Sequence, residues 1–288
     1  IAIADKSGLG LLKKTPFNIM LWPKELSDLP KGDICIIDTY RIKIDEMIKL
    51  KNSFGTRVII DDLGDRDIDA ELIINPNLFA NSIKYDKRVD KLLGVKYAPI
   101  DPLFFNKKKR PQIDSEKPTV LVSFGGTDDG TYGIPASKVI LSASNNVTIE
   151  LVISPLVKLS KKVINFSSQS NKRVRIHHGK NMATIMKQCQ LYVGCVGSTI
   201  LEVAAAGIPM IGIEMSSNHK MNGTALRNMG LPVMESLNAS LLKLEVSKHL
   251  NASSMHSKNK ALIELIDNLG AKRASDKILS KATIMTPQ

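Results

Sequence analysis

The chain has 288 residues, 43% of them apolar, which is enough for one large domain or two of ordinary size. Its net charge is +12, but the basic residues are spread widely, with one tight cluster at 107–110, and only 5% of residues are aromatic. This distribution favours a solvated basic surface over nucleic-acid binding, because base stacking requires aromatic side chains. The apolar runs are only strand-length, so we expect no membrane partner.

The three cysteines, Cys35, Cys189 and Cys195, show no spacing typical of a metal site. Two of them lie on or beside predicted buried strands, as reduced thiols in a protein core do. We therefore expect a cytoplasmic protein without a bound metal or cofactor.

In the first half, apolar runs flank one clear helical pattern at 42–52. The predicted strands are 33–37, 57–61, 71–74 and 95–99. The charged, aperiodic segment 106–117 contains a proline and predicts a linker. We therefore place the domains at 1–110 and 111–288.

In the second half, strands and helices alternate throughout. Strands are predicted at 119–123, 148–153, 173–177, 191–195 and from 210. Helices are predicted at 135–144 and 182–187, from 198, and near 224, 241 and 261. The alternation predicts an α/β protein with parallel sheets and helices on both faces, made of two Rossmann-like domains that face a cleft. Ligands of such sheets bind beyond the carboxyl ends of the strands.

A small-residue turn follows the predicted strand 191–195. Gly197 leaves room for the backbone N–H groups of Ser198 and Thr199 to point at an anion at a helix start. Glu202 lies about one turn into that helix, where its carboxylate can accept hydrogen bonds from a ribose diol. The pattern predicts a diphosphate-binding turn, and an ordinary buried strand–helix unit with a solvated glutamate explains it equally well.

Two further turns are candidates. Gly125 and Gly126 follow the first strand of the second half, where they allow close backbone approach or simply reverse the chain, and Asp128 is expected to cap a helix. Asn218 and His219 follow a later strand, where they either line a pocket or cap the next helix. Of these two roles, capping is the favoured interpretation.

Polar side chains also follow three strands of the first half. Asp38 and Tyr40 follow the first strand, Asp61 and Asp62 follow the second, and the segment 75–77 follows the third. Because parallel strands end at the same edge of a sheet, these groups predict a polar rim that could contact a sugar. Capping of local turns by the aspartates is the alternative.

Several motifs follow one another along the chain: IIDTY, VIIDD, LIINPN, VKYAPIDPLF, VLVSFGGTD, MATIMKQCQLYVGCVGSTILEVAAAGIP, SSNH and LIDNLGAKRAS. Taken in this order, they resemble the UDP-linked diacetamido-trideoxy-altropyranose hydrolases of pseudaminic acid biosynthesis. Those enzymes are relatives of the spore-coat polysaccharide protein G group and, more distantly, of the peptidoglycan N-acetylglucosaminyltransferase. The resemblance runs from Asp33 to Ser275 and is most specific over 182–209.

The resemblance implies a two-domain glycosyltransferase-B-type fold in which the second domain holds the nucleotide and the first faces the sugar. By matching position, Glu202 would bind the uridine ribose, and Ser198 and Thr199 the diphosphate. Asn218 would lie on the sugar or phosphate side, and Tyr40 would enter from the first domain. Backbone approach to the ligand would be allowed by the glycines Gly125, Gly126 and Gly197.

The implied activity is metal-independent hydrolysis of a UDP-acetamido sugar, in which water attacks the anomeric carbon and a histidine acts as the base. The family carries that histidine in a Gly-x-Gly-His-x-x-Arg loop, and no such string occurs here. Residues 1–6 are interpreted either as the end of the helix after that loop, in a chain lacking its start, or as the first strand. In the second case Gly8-Leu9-Gly10 stands for the loop and Leu11 replaces the histidine. The segment before Asp33 is shorter than the family's usual first strand–helix–strand unit, so we expect a shortened N-terminal domain.

The catalytic base is therefore not assigned. His219 is the one histidine in the predicted pocket, at a position where the family usually has glutamine, and it is the candidate substitute base. The other histidines are expected to be structural or lie in the late helical region: His177, His178, His249 and His256. A glycosyltransferase using the same UDP-sugar pocket, and a catalytically silent nucleotide-sugar binding domain, are the alternative functions.

Overall fold

The computed structural model describes residues 1–6, 9–13, 15–105, 117–179, 181–251 and 260–282. Gly8, His256 and the predicted linker apart from its last residue lie outside these ranges. The chain forms two compact units: unit 1 comprises Ile1–Ile74, Tyr85–Leu92 and Ser275–Gln288, and unit 2 comprises Asn75–Lys84 and Leu93–Ala274. Within the described ranges, no helix combines the length and apolarity that crossing a bilayer requires.

Unit 1 is built around two sheets. A pair of short parallel strands forms the smaller sheet, β1 (Ala2–Ala4) and β2 (Ile19–Leu21), with helix α1 (Leu9–Leu12) between them in sequence. The larger sheet has the order β3-β4-β5-β6. Its strands are β3 (Gly32–Ile37), β4 (Phe54–Ile60), β5 (Leu72–Asn75) and β6 (Asp90–Leu93).

Helix α2 (Ile44–Leu50) connects β3 to β4, which run parallel. Its start is fixed by Glu46, whose carboxylate accepts the backbone N–H of Lys43 at 2.8 Å. The helix buries Met47 and Leu50 against β3 and β4, as its apolar spacing predicts. This helix and these strands form the core of unit 1.

Unit 2 contains a six-stranded parallel sheet in the order β12-β11-β10-β7-β8-β9. The strands are β7 (Thr119–Ser123), β8 (Thr148–Ile153), β9 (Val174–His178), β10 (Leu191–Cys195), β11 (Met210–Ile213) and β12 (Val233–Met234). The central strands are buried and almost continuously apolar, as expected for a parallel sheet covered on both faces.

Helices connect successive strands of unit 2 and complete the chain. They are α3 (Gly133–Ala143), α4 (Lys161–Ser168), α5 (Met182–Met186), α6 (Thr199–Ala205), α7 (Lys220–Asn228), α8 (Ala239–Asn251), α9 (Lys260–Glu264) and α10 (Gly270–Lys281). Alternate residues of β10 enter opposite cores: Tyr192 packs in one apolar cluster, and Leu191 and Val193 pack in the other. The predicted α/β class with parallel sheets is therefore confirmed.

One predicted strand is wrong. Residues 95–99 do not form a strand; Val95–Tyr97 is a single 3-10 turn, and the strand lies just before it, at β6. Gly94, with a φ of 93°, ends β6 in a conformation that side chains disfavour. The apolar residues Val95 and Ala98, which follow it, are buried although they lie in and after a turn. Sequence patterns also missed β2, β12, α4 and α10, whereas β1 agrees with the interpretation of residues 1–6 as the first strand.

Candidate functional site

Three turns meet at the carboxyl edge of the unit 2 sheet. Strand β10 lies between β7 and β11, so the turns that follow these three parallel strands are neighbours. A Cβ atom built on Gly125 would lie 3.5 Å from Sγ of Cys195, and one built on Gly197 would lie 3.5 Å from Nε2 of His219. The structure therefore brings Gly125, Gly197 and His219 together around the end of β10.

The turn after β10 presents unused backbone donors. Ser198 occupies the N-cap position of α6, but its side chain makes no capping hydrogen bond. Within the described part of the chain, the backbone N–H groups of Ser198 and Thr199 donate to no protein acceptor. Ser198 is exposed and Thr199 is half-buried, so this helix start lies at the surface of unit 2.

Glu202 is a half-buried carboxylate on α6. Burial raises its pKa to about 7, and the nearby charge of Asp101 acts in the same direction. No hydrogen bond or ion pair joins its side chain to any described residue. A carboxylate that has lost much of its hydration and gained no partner is a strong acceptor for ligand hydroxyl groups.

The turn after β7 contains two glycines, and only the first has a backbone conformation that favours glycine. Gly125 has a φ of 86°, in the left-handed region that favours glycine, whereas a Cβ on the exposed Gly126 would meet only Cδ1 of Leu156, at 4.0 Å. Asp128 caps α3 as predicted, because its carboxylate accepts the N–H groups of Tyr132 and Gly133, each at 3.0 Å. Asp128 is therefore committed to the fold.

The favoured capping role of Asn218 and His219 is wrong. Neither side chain caps α7; His219 occupies the N-cap position without a capping hydrogen bond. Oδ1 of Asn218 instead accepts the Ser216 hydroxyl, and Nδ1 of His219 accepts the backbone N–H of Met215 at 3.2 Å. Asn218 is exposed, and His219, whose Nε2 lies beside Gly197, is half-buried.

Sequence reasoning missed Tyr192. This residue is fully buried on β10, and its hydroxyl lies 3.1 Å from the carbonyl oxygen of Ser123 and 3.0 Å from that of Cys195. It therefore joins the carboxyl ends of β7 and β10, from which two of the three turns begin. An aromatic residue in an apolar strand gives no signal of such a role in the sequence.

In unit 1, the structure brings Tyr40 together with two aspartates. The Tyr40 hydroxyl donates to Oδ2 of Asp62 at 2.9 Å, and Tyr40 is 63% exposed. Burial and the charge of Asp62 raise the pKa of Asp38. Neighbouring polar side chains therefore lie at the ends of β3 and β4, as the rim predicts. The turn-capping alternative holds for Asp61, whose Oδ2 accepts the backbone N–H of Gly64 at 2.9 Å.

The other described histidines bond to protein groups near them in the fold. His177 bonds through Nε2 to Glu150, His178 to the Val157 carbonyl, and His249 to the Glu245 carbonyl. These contacts agree with structural roles. In the described ranges, no cluster of three or more histidine, cysteine, aspartate or glutamate side chains could hold a metal ion.

No family model matches the chain. Over 220 residues it is 24% identical to an uncharacterized protein of Methanocaldococcus jannaschii, in an alignment that covers 72% of this chain and 45% of that protein. The chain thus spans less than half the length of this relative.

Solved glycosyltransferase-B-type structures share the fold. MurG from Acinetobacter baumannii has a TM-score of 0.62 at 11% identity, over 96% of this chain and 90% of that one. The spinosyn rhamnosyltransferase SpnG, complexed with thymidine diphosphate, has a TM-score of 0.54 at 12% identity, over 85% of this chain and 73% of that one. The pneumococcal O-GlcNAc transferase GtfA, in complex with UDP and GlcNAc, has a TM-score of 0.56 at 9% identity, over 88% of this chain and 57% of that one. At such identities the likeness establishes the fold, and the glycosyltransferase-B type is confirmed.

Proposed function

We propose that unit 2 binds the nucleoside diphosphate of a UDP-sugar, and that the chain cleaves the bond between the sugar and the diphosphate. Glu202 is the observation that carries this proposal. Its carboxylate has a pKa near neutrality and bonds to no residue that the structure describes, and it lies one turn beyond unused backbone donors. A nucleotide can use both features, with its ribose at the carboxylate and its diphosphate at the backbone donors.

Glu202 fits the ribose of the nucleotide. The two adjacent hydroxyl groups of a ribose can each donate to one carboxylate oxygen, which gives a pair of charge-assisted hydrogen bonds. These bonds would stabilise the ionised form of Glu202 that burial disfavours. The ribose would therefore supply Glu202 with the hydrogen-bond donors that the described residues do not provide.

The Gly197 turn fits the diphosphate. Two free N–H groups, from Ser198 and Thr199, can each donate to a phosphoryl oxygen, and Gly197 removes the side chain that would obstruct the approach. Gly125 lies across Cys195 from this turn and allows similar access. Asn218 is proposed to contact the ligand on the sugar or phosphate side.

Two reaction types are candidates. The sequence resemblance supports hydrolysis of a UDP-acetamido sugar in pseudaminic or related acid biosynthesis, whereas the likeness to solved glycosyltransferases supports transfer to an acceptor. In both, an oxygen nucleophile attacks the anomeric carbon, UDP leaves with the electrons of the broken C–O bond, and a base takes the nucleophile's proton. Tyr40 is proposed to contact the sugar.

Calorimetric titration with UDP and a UDP-acetamido sugar, followed by product analysis, tests the proposal. UDP and free sugar formed without an acceptor would establish a hydrolase, and UDP release only with an acceptor would establish a transferase. Binding without turnover would identify a silent binding protein. Absence of binding to any uridine nucleotide would contradict the proposed site.

The role of Glu202 has its own test. Glu202→Gln should weaken UDP binding by about 1–3 kcal/mol, because the charged hydrogen bonds to the ribose are lost. Glu264→Gln is a matched control, since that glutamate lies on α9 with its side chain 63% exposed. Equal affinities in the two variants would exclude the ribose contact.

A further inference from the structure

The backbone fixes which ring nitrogen of His219 accepts a hydrogen bond and which can donate one. Its Nδ1 accepts the backbone N–H of Met215 at 3.2 Å, and a backbone amide can only donate. In the neutral ring one nitrogen accepts and the other carries the proton, so the proton lies on Nε2. The loop that connects β11 to α7 therefore selects one tautomer.

The protonated nitrogen faces the Gly197 turn. A Cβ atom built on Gly197 would lie 3.5 Å from Nε2, and no described residue accepts a hydrogen bond from this nitrogen. Because Gly197 has no side chain, the space in front of Nε2 is not filled at that point. The donor is positioned and has no protein acceptor.

The surroundings of the ring favour its neutral form. Burial lowers the pKa of His219, and the charge of Glu214 opposes this effect. Glu214 is itself paired with Arg227, at 2.7 Å, which satisfies part of its charge. A neutral imidazole whose Nδ1 is occupied has no free lone pair with which to take a proton from water.

We propose that His219 donates an Nε2–H hydrogen bond to a phosphoryl oxygen of the nucleoside diphosphate and is not the general base. This inference rests on the proposed function of unit 2. It extends the diphosphate site from the two backbone donors of the Ser198 turn to a third donor on the neighbouring turn. It also makes His219 a determinant of specificity for phosphorylated nucleosides, because uridine alone offers no acceptor at this position.

Titration of the wild-type chain, His219→Leu and His219→Gln with uridine, UMP and UDP tests the inference. Leucine removes the donor, and we expect UDP affinity to fall about ten- to a hundredfold while uridine affinity stays within twofold. Glutamine supplies an amide N–H donor and should retain most of the affinity. Gly197→Ala, which needs no unusual backbone conformation, should weaken UDP binding by narrowing the space before Nε2.

The outcomes separate the two proposals. If the wild-type chain binds no UDP, the proposed function fails; if it binds UDP and His219→Leu binds equally tightly, only the role of His219 fails. A long-range proton–nitrogen NMR spectrum of the unliganded wild-type chain gives a second measurement that does not depend on variant folding. It should show His219 protonated at Nε2, and a ring protonated at Nδ1 would overturn the inference.

Discussion

The hydroxyl of Tyr192 occupies the space that a side chain on Gly194 would need. A Cβ atom built on Gly194 would lie 2.4 Å from Oη of Tyr192 and 1.9 Å from the carbonyl oxygen of Ser123. Residues two apart on a strand point to the same face, so Tyr192 extends along β10 over its neighbour toward the end of the strand. The contact between Tyr192 and Gly194 therefore lies where β7 and β10 end and their two glycine turns begin.

Gly194→Ala should destabilise unit 2 by about 3 kcal/mol or more, because the added methyl group meets backbone as well as side chain. Urea unfolding measures the change. The double variant with Tyr192→Phe should be no more stable, since the clash with the Ser123 carbonyl remains. Recovery of stability in the double variant would contradict this account.

Tyr192→Phe should cost about 1–2 kcal/mol of unfolding free energy, because the buried carbonyls of Ser123 and Cys195 lose their shared donor. UDP affinity should also fall, since both turns lose an anchor. Tyr132→Phe is the control, because the Tyr132 hydroxyl makes no hydrogen bond with any described residue. Parallel unfolding and titration of the two variants would reveal whether the hydroxyl matters.

Glu202 should make stability depend on pH. Its pKa is about 7 in the folded chain and near 4.5 when exposed, so between these values the folded state holds a proton that the unfolded state releases. This contribution is present below pH 4.5 and is lost as pH rises through 7. Relative to Glu202→Gln, the wild-type chain should lose about 1–3 kcal/mol between pH 4.5 and 8. Parallel stability profiles for the two chains would count against the raised pKa.

Asp128→Ala should reduce stability by about 1–2 kcal/mol, because α3 loses the cap that accepts its first N–H groups. UDP affinity should remain within twofold of wild type, since Asp128 is committed to the fold. Denaturant unfolding and calorimetry on the same preparation check both parts. A large loss of affinity with unchanged stability would reverse the assignment.

Tyr40→Phe should leave stability within about 0.5 kcal/mol of wild type, because the lost hydrogen bond to Asp62 is exposed. If Tyr40 contacts the sugar, turnover of the UDP-sugar should fall about tenfold, equivalent to one hydrogen bond. UDP binding should not change. Unaltered turnover would remove Tyr40 from the proposed site.

The sequence predicts most of unit 2 because buried parallel strands are continuous apolar runs separated by helical patterns. The strand 95–99 was wrong because the apolar run at Val95 packs as a turn after Gly94, which composition alone does not reveal. Tyr192 could not be assigned, since its bond to Ser123 joins residues 69 positions apart. The polarity of His219 likewise depends on the direction of a single backbone amide, at Met215.

Unit 1 also depends on α10, a segment far from its strands in the sequence. The Thr56 hydroxyl donates to the carbonyl of Lys281, 225 residues later, at 2.9 Å, and Lys277 and Lys281 pair with Asp90. During synthesis on the ribosome, the strands of this unit therefore emerge long before their last partners. A stop codon just before Lys277 would therefore destabilise strands that were translated long before the missing segment.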